Sequence, residues 1–202
     1  GVNLMRRKNL EQLILDCAYS LFEERGFDQV SVNDICKACD ITKPTFYKYL
    51  NSKEDLLSYF FQSLTSKIPD DWYRYDDSTN FWEKIVQGYC FFVDHAEKTG
   101  IDLYTAVYIS NLHLYTGVFN DIPSFKALMI DLIQKAQETG QILNHSKAED
   151  LYDTGTHLSI GYGAYWCFYN DPTVSLRDHF VNGLAQLYET DPALLEDCEK
   201  PE

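Results

Sequence analysis

Lys43, Pro44, Thr45, Tyr47 and Lys48 stand within six consecutive positions. Two ammonium groups, a proline ring, a hydroxyl and a phenol at that spacing suit the reading of a DNA groove. A lysine can donate to guanine O6 and N7, and an apolar ring can rest on a thymine methyl. On a helix that advances about 100° per residue from Lys43, Pro44, Tyr47 and Lys48 share one side, while Phe46 and Tyr49 lie opposite. One face packs and the other is free to read, and a major groove about 12 Å wide admits such a helix. Ser31, Thr42, Tyr49 and Lys53 fall at helix starts or flanks, where hydroxyls, N–H groups and an ammonium can hold phosphates and set the register.

Two short elements must position these groups. Ser31 followed three residues on by Asp34 puts a side-chain acceptor at a helix start and a carboxylate in its first turn, where exposed N–H groups and the helix dipole favour both. The helix predicted there, over about 32–39, turns Val32, Ile35 and Ala38 inward. It stops at Cys39-Asp40-Ile41, since aspartate tolerates the left-handed conformation of a tight turn. Thr42 caps a second helix over about 43–49, with Pro44 in the first turn where its missing N–H costs nothing. Two short helices joined by a tight turn make a helix-turn-helix. An ordinary helical hairpin with Lys43, Tyr47 and Lys48 as a solvated face has the same spacing, and spacing alone leaves both open.

The rest of the chain is helical in pattern. Leu10, Leu13, Ile14, Cys17, Ala18, Leu21 and Phe22 form one apolar stripe on a helix of about six turns that stops at Gly26. Further helices are predicted over about 53–67, 80–98, 101–116, 123–139, 147–170 and 174–189, which makes nine in all and no strand. The polar stretch 69–78 is the long break between the fourth and fifth. With 202 residues and 45% hydrophobic content, the chain can bury a substantial core, and fibrous or mainly disordered classes are excluded. Its apolar runs fall well short of the roughly 20 residues a membrane span needs. The basic cluster Arg6-Arg7-Lys8 leads into an amphipathic Leu/Glu pattern, so no signal peptide is expected and the expected location is the cytoplasm.

A net charge of −14 argues against a nucleic acid partner until its distribution is considered. Residues 1–53 hold eight Lys/Arg against seven Asp/Glu, a net +1, and the remainder carries −15. An acidic body repels phosphate and leaves the near-neutral head as the part able to approach a polyanion. Six cysteines without a secretion signal read as reduced thiols. Cys36-x-x-Cys39 has no second pair and no histidine at finger spacing, so neither a metal nor another cofactor is expected. The five histidines make no zinc or catalytic signature and no nucleophile elbow is present, so no catalytic residue is assigned and no enzyme is expected.

Leu10 to Leu57 resembles the N-terminal domain of the tetracycline-repressor (TetR) family. The likeness rests on Phe22-Glu23-Glu24-Arg25-Gly26-Phe27 closing the first helix, on the helix-turn-helix, and on Thr45-Phe46-Tyr47-Lys48-Tyr49-Leu50-Asn51-Ser52-Lys53-Glu54-Asp55-Leu56-Leu57. The resemblance implies that Lys43, Pro44, Thr45 and Tyr47 meet the major groove, that Ser31, Thr42, Tyr49 and Lys53 meet the DNA backbone, and that Asn33 can reach a base. The departure is Asp40, where the family usually has glycine, and it bears on affinity more than on fold.

Residues 1–53, continuing into the fourth helix, are expected to form the DNA-binding domain, and 68–202 a ligand-binding and dimerisation domain. The resemblance is looser in this second part, carried by residues 125–142 and the last two helices. It implies a homodimer through the eighth and ninth helices. Gly155, Gly161 and Gly163 in the eighth would each cost about 1 kcal/mol relative to alanine, a cost that close backbone approach explains. Leu176, Phe180, Leu184 and Leu187 stripe the ninth. Aromatic residues crowd the body, and Phe92, His95, Tyr104, Tyr108, His113 and Tyr162 are the expected lining of a pocket for a small apolar or cationic molecule. The function implied is a dimeric regulator, a repressor of a palindromic double-stranded DNA operator released by that molecule. A DNA-binding regulator answering to a protein partner, and a helical enzyme or carrier that keeps the first domain as a packing module, are the alternatives.

Overall fold

The apolar spacing of the first 25 residues forms one helix, α1 (Val2–Arg25). It ends where Gly26 takes φ +82° and its N–H closes on the Phe22 carbonyl at 2.8 Å, a conformation that glycine alone adopts without strain. The structure, a computed structural model, describes residues 2–59, 72, 74–76, 78–113, 122–169 and 173–195. After α1 come α2 (Val32–Ala38), α3 (Lys43–Phe46), a 3₁₀ helix (Glu54–Tyr59), α4 (Phe81–Thr99), α5 (Ile101–His113), α6 (Pro123–Glu138), α7 (Ala148–Tyr169), α8 (Leu176–Tyr188) and a final 3₁₀ turn (Pro192–Leu194). Among the described residues there is no strand, only a single antiparallel bridge between Ile142 and Thr190. The all-helical expectation holds.

Two elements differ from their expected form. The second reading helix closes at Phe46 because Lys48 N–H and Tyr49 N–H bond three residues back, to Thr45 and Phe46 carbonyls at 3.2 and 2.9 Å, which tightens the last turn. The helix predicted over 53–67 begins as 3₁₀, and residues 60–67 lie outside the described residues, as do 114–116 of the helix expected over 101–116 and most of the polar stretch 69–78.

The described residues fall into two compact units. The first takes in residues 1–67 and 96–120. On α1, Ile14, Ala18, Leu21 and Phe22 are buried as their spacing predicts, but Leu13 is 43% exposed while Leu15 and Tyr19 are buried. The helix is covered from two sides, by α2 and by the 3₁₀ helix, so its buried face is broader than a single stripe. The Tyr19 hydroxyl donates to the Leu56 carbonyl at 2.6 Å, and burial pushes its phenol far above the usual range. α5 packs on the same 3₁₀ helix.

The second unit, residues 68–95 and 121–202, has its core among α4, α6, α7 and α8. Trp82, Ile85, Met129, Ile133, Phe180, Leu184 and Tyr188 are fully buried there. The loop after α6 is tied in by Gln141, whose side chain accepts from Trp82 N–H at 3.1 Å and donates to the Thr79 carbonyl at 3.1 Å. A half-buried ion pair joins Arg177 Nη1 to both oxygens of Asp94 at 2.7 and 2.6 Å. Tyr89 donates to the Tyr152 carbonyl at 3.1 Å and lies 3.3 Å from the Tyr188 hydroxyl, which donates in turn to the Leu151 carbonyl at 3.3 Å.

This core corrects the reading of two dimer signals. The stripe Leu176, Phe180 and Leu184 on α8 is buried inside its own subunit, and Gly155 leaves room for Tyr89 of the same chain. A Cβ at position 155 would meet the Tyr89 hydroxyl at 2.7 Å, its ring at 3.1 Å and Leu184 at 3.2 Å. Gly155→Ala is therefore expected to destabilise the chain by about 1–3 kcal/mol despite the better helix propensity of alanine, which urea unfolding measures. A neutral or stabilising result would contradict this packing. Among the described residues no helix is long and apolar enough to cross a membrane.

Candidate nucleic-acid interface

The start of α2 is built by the expected reciprocal cap. Ser31 Oγ accepts from Asp34 N–H at 3.2 Å, Asp34 Oδ2 accepts from Ser31 N–H at 3.0 Å, and the Ser31 hydroxyl also bonds Asp34 Oδ2. These bonds from Ser31, side chain first and backbone second, hold the Asp34 carboxyl below its ordinary value. A depressed folded pKa means the cap is intact above the usual carboxylate range and is lost as pH falls through the folded pKa. The Asp34 titration followed by NMR should have its midpoint below that of an ordinary aspartate, and Ser31→Ala should move it back up. An unmoved midpoint would contradict the cap.

Between the helices Asp40 takes φ +54°, the left-handed turn expected of it. Ile41 N–H then reaches the Cys36 carbonyl at 2.9 Å, and Thr42 opens α3 with its Oγ1 accepting from Thr45 N–H at 3.3 Å and bonding Thr45 Oγ1 at 2.9 Å. Pro44 sits in the first turn, where no N–H is needed. Phe46 is 0% exposed and anchors α3, while Lys43, Pro44, Tyr47 and Lys48 are exposed, Tyr47 by 52%. The Tyr47 ring stands edge-on to Phe46 at 5.5 Å. One side of α3 is thus core and the other open.

Ser31, Asn33 and Thr42 are exposed, and Thr45 and Tyr49 are half-buried. Lys53 is half-buried with its ammonium turned towards the α1–α2 turn, donating to the Phe27 carbonyl at 2.8 Å and the Val30 carbonyl at 3.1 Å. The sequence reading passed over Lys37, which is exposed one turn after Asn33 on α2; the four-residue spacing that puts both on one face was the available signal.

Cys36 and Cys39 are buried, with Cys39 Sγ 3.9 Å from the Leu13 carbonyl. Burial pushes the Cys39 thiol up to about 12 and raises that of Cys36. Both are protonated and serve as small apolar packing groups.

The residues expected around a ligand divide between the units. Phe92 and His95, one turn apart on α4, belong to the second, as does Tyr162 of α7; Tyr104, Tyr108 and His113 of α5 belong to the first. The Phe92 ring packs edge-on against Phe125 at 5.1 Å, and His95 Nδ1–H donates to the Phe91 carbonyl at 2.8 Å. Tyr104 is buried against Tyr108, ring centres 5.2 Å apart, and His113 is exposed. Tyr162, half-buried, lies 6.5 Å from the His179 ring.

Residues 14–60, which contain this helix-turn-helix, match the bacterial regulatory proteins of the tetR family. The HTH-type transcriptional regulator YuxN of Bacillus subtilis is 38% identical over 65 residues, covering 30% of this chain and 22% of its own length. EthR of Mycolicibacterium smegmatis, also an HTH-type transcriptional regulator, is 45% identical over 47 residues, 23% of this chain and 22% of its own. The chain spans 22% of the length of each of these two curated relatives. Likeness of fold extends much further. The structure of Thermus thermophilus FadR, a TetR-family repressor in complex with lauroyl-CoA, aligns with a TM-score of 0.61 at 20% identity over 96% of both chains. TylP, a TetR regulator of Streptomyces fradiae, aligns with 0.53 at 14% identity over 96% of this chain and 92% of its own.

Proposed function

We propose that this chain, a member of the TetR family of bacterial regulators, binds double-stranded DNA as a homodimer at a palindromic operator, represses from it, and is released by a small molecule taken up in the C-terminal body. The observation that carries the reading is α3. A helix anchored by a fully buried Phe46 turns Lys43, Pro44, Tyr47 and Lys48 outward together, with Thr45 beside them for the major groove, Asn33 exposed on α2 for a base, and Ser31, Thr42 and Tyr49 at the flanks where phosphates are held.

The dimer is supported by residues other than the buried stripe. On α7, Gly161, Tyr165, Phe168 and Tyr169 are exposed, the last three by 51%, 79% and 65%, and a Cβ at Gly161 would meet nothing within 4 Å. They follow one another at helical spacing and give an apolar strip that a second copy's α7 and α8 can cover. A two-fold axis there gives two copies of α3 to read half-sites about 34 Å apart. The aromatic residues of the body favour an apolar or cationic effector, and FadR, of the same fold, holds an acyl-CoA. For release, the effector must bind better to the dimer geometry that does not fit DNA.

Sedimentation of the full chain with and without duplex DNA tests the reading. It predicts a dimer alone and two copies per duplex, with binding that weakens steeply as salt rises. A monomer that leaves duplex DNA untouched at low salt contradicts it.

A further inference from the structure

The flanking Lys53 does not extend towards the reading face. Its Nζ donates to the carbonyls of Phe27 and Val30 at 2.8 and 3.1 Å, and it lies 4.3 Å from the centre of the Phe27 ring. Those carbonyls belong to the turn between α1 and α2, 26 and 23 residues earlier in the chain. Val30 immediately precedes Ser31, the cap of α2, so the tie reaches the first residue of the element that flanks α3. At its own end the lysine is held as well. Asn51 donates to Asp55 Oδ2 from its backbone at 2.7 Å and from its side chain at 3.0 Å, and the Ser52 hydroxyl is 3.5 Å from Oδ1.

We propose that Lys53 is a positioning residue of the reading domain: its ammonium, tied to the carbonyls of Phe27 and Val30, fixes the start of α2 against the chain leaving α3, so that Ser31 and Asn33 stand in register with residues 43–48. This rests on the DNA-reading role of α3 and replaces the phosphate contact that the family resemblance implies for Lys53. To swing out to a phosphate, the ammonium must give up two charge-assisted bonds and its place over an aromatic ring. A lysine so held acts on DNA through the geometry of its neighbours and releases no counterion of its own.

The difference can be measured in the full chain with Lys53→Met, which keeps the apolar stem and removes the charge, beside Lys48→Met. Without DNA, amide exchange across residues 27–35 is expected to quicken about tenfold in Lys53→Met and to stay unchanged in Lys48→Met. The DNA probe is a duplex recovered by the unaltered protein from a random pool. On it Lys53→Met should bind about tenfold more weakly at every salt concentration with the slope of log K against log salt unchanged, where loss of one phosphate contact from each subunit of the dimer lowers the slope by about 1.8. A lowered slope with unchanged exchange overturns the proposal and returns Lys53 to the phosphate. Faster exchange with undiminished affinity also overturns it, since the tie then serves the fold alone. If the unaltered protein recovers no duplex, the DNA reading itself falls, and the exchange comparison still decides whether Lys53 holds the start of α2.

Discussion

Alanine at Lys43 or at Tyr47 should strip the chain of sequence-specific DNA binding while changing its stability by no more than about 1.5 kcal/mol, the most that the edge-on packing of Tyr47 on Phe46 is worth. Both side chains stand on the open side of α3, so neither leaves a cavity or a stranded partner when truncated. On DNA each is expected to supply a base contact worth about 1–3 kcal/mol. In the dimer one substitution removes two such contacts, about 2–6 kcal/mol, and weakens operator binding by about thirtyfold to ten-thousandfold, and the pair together reduces it to the non-specific level. Fluorescence anisotropy with a selected duplex gives the affinity, and thermal unfolding of the same samples gives the stability. Undiminished affinity in the double variant would contradict the assignment of α3.

Phe46→Ala should do the reverse. Its ring is 0% exposed, and deleting a fully buried phenylalanine costs about 3–5 kcal/mol against the 5–15 kcal/mol that typically holds a domain folded. Urea unfolding is expected to shift by that amount, and DNA binding to fail because α3 has lost its anchor rather than its reading groups. The contrast with Tyr47, one residue on, is the point of the pair: the last residue of a short helix and its cap, one governing stability and the other recognition. A loss below about 1 kcal/mol at Phe46 would mean that α3 is held in some other way.

The helix-turn-helix was legible because each of its parts has a local cause. Ser31 with Asp34, the left-handed Asp40, the Thr42 cap and Pro44 all act within a few residues, and all take their expected conformations. The inward and outward sides of α3 followed from helical spacing alone. Lys53 was less legible, because its partners Phe27 and Val30 lie more than twenty residues away and a flanking lysine looks the same whether it points to DNA or to a carbonyl. The glycines of α7 were ambiguous in the same way. At Gly155 there is a close approach, by the side chain of the chain's own Tyr89, while a Cβ at Gly161 would meet nothing within 4 Å, and no periodicity tells the two apart. Residues for an effector were hardest to read, since an aromatic side chain such as Tyr104 or Phe92 has the same spacing whether it packs the interior or lines a pocket.

The most direct test of the central claim is selection of duplexes from a random pool by the purified chain at low and physiological salt, with sequencing of what is retained and the Lys43→Ala/Tyr47→Ala variant run alongside. Enrichment of a palindrome by the unaltered chain, absent with the variant, is the predicted result. No enrichment at either salt, or equal enrichment by both proteins, would contradict the reading of DNA by α3.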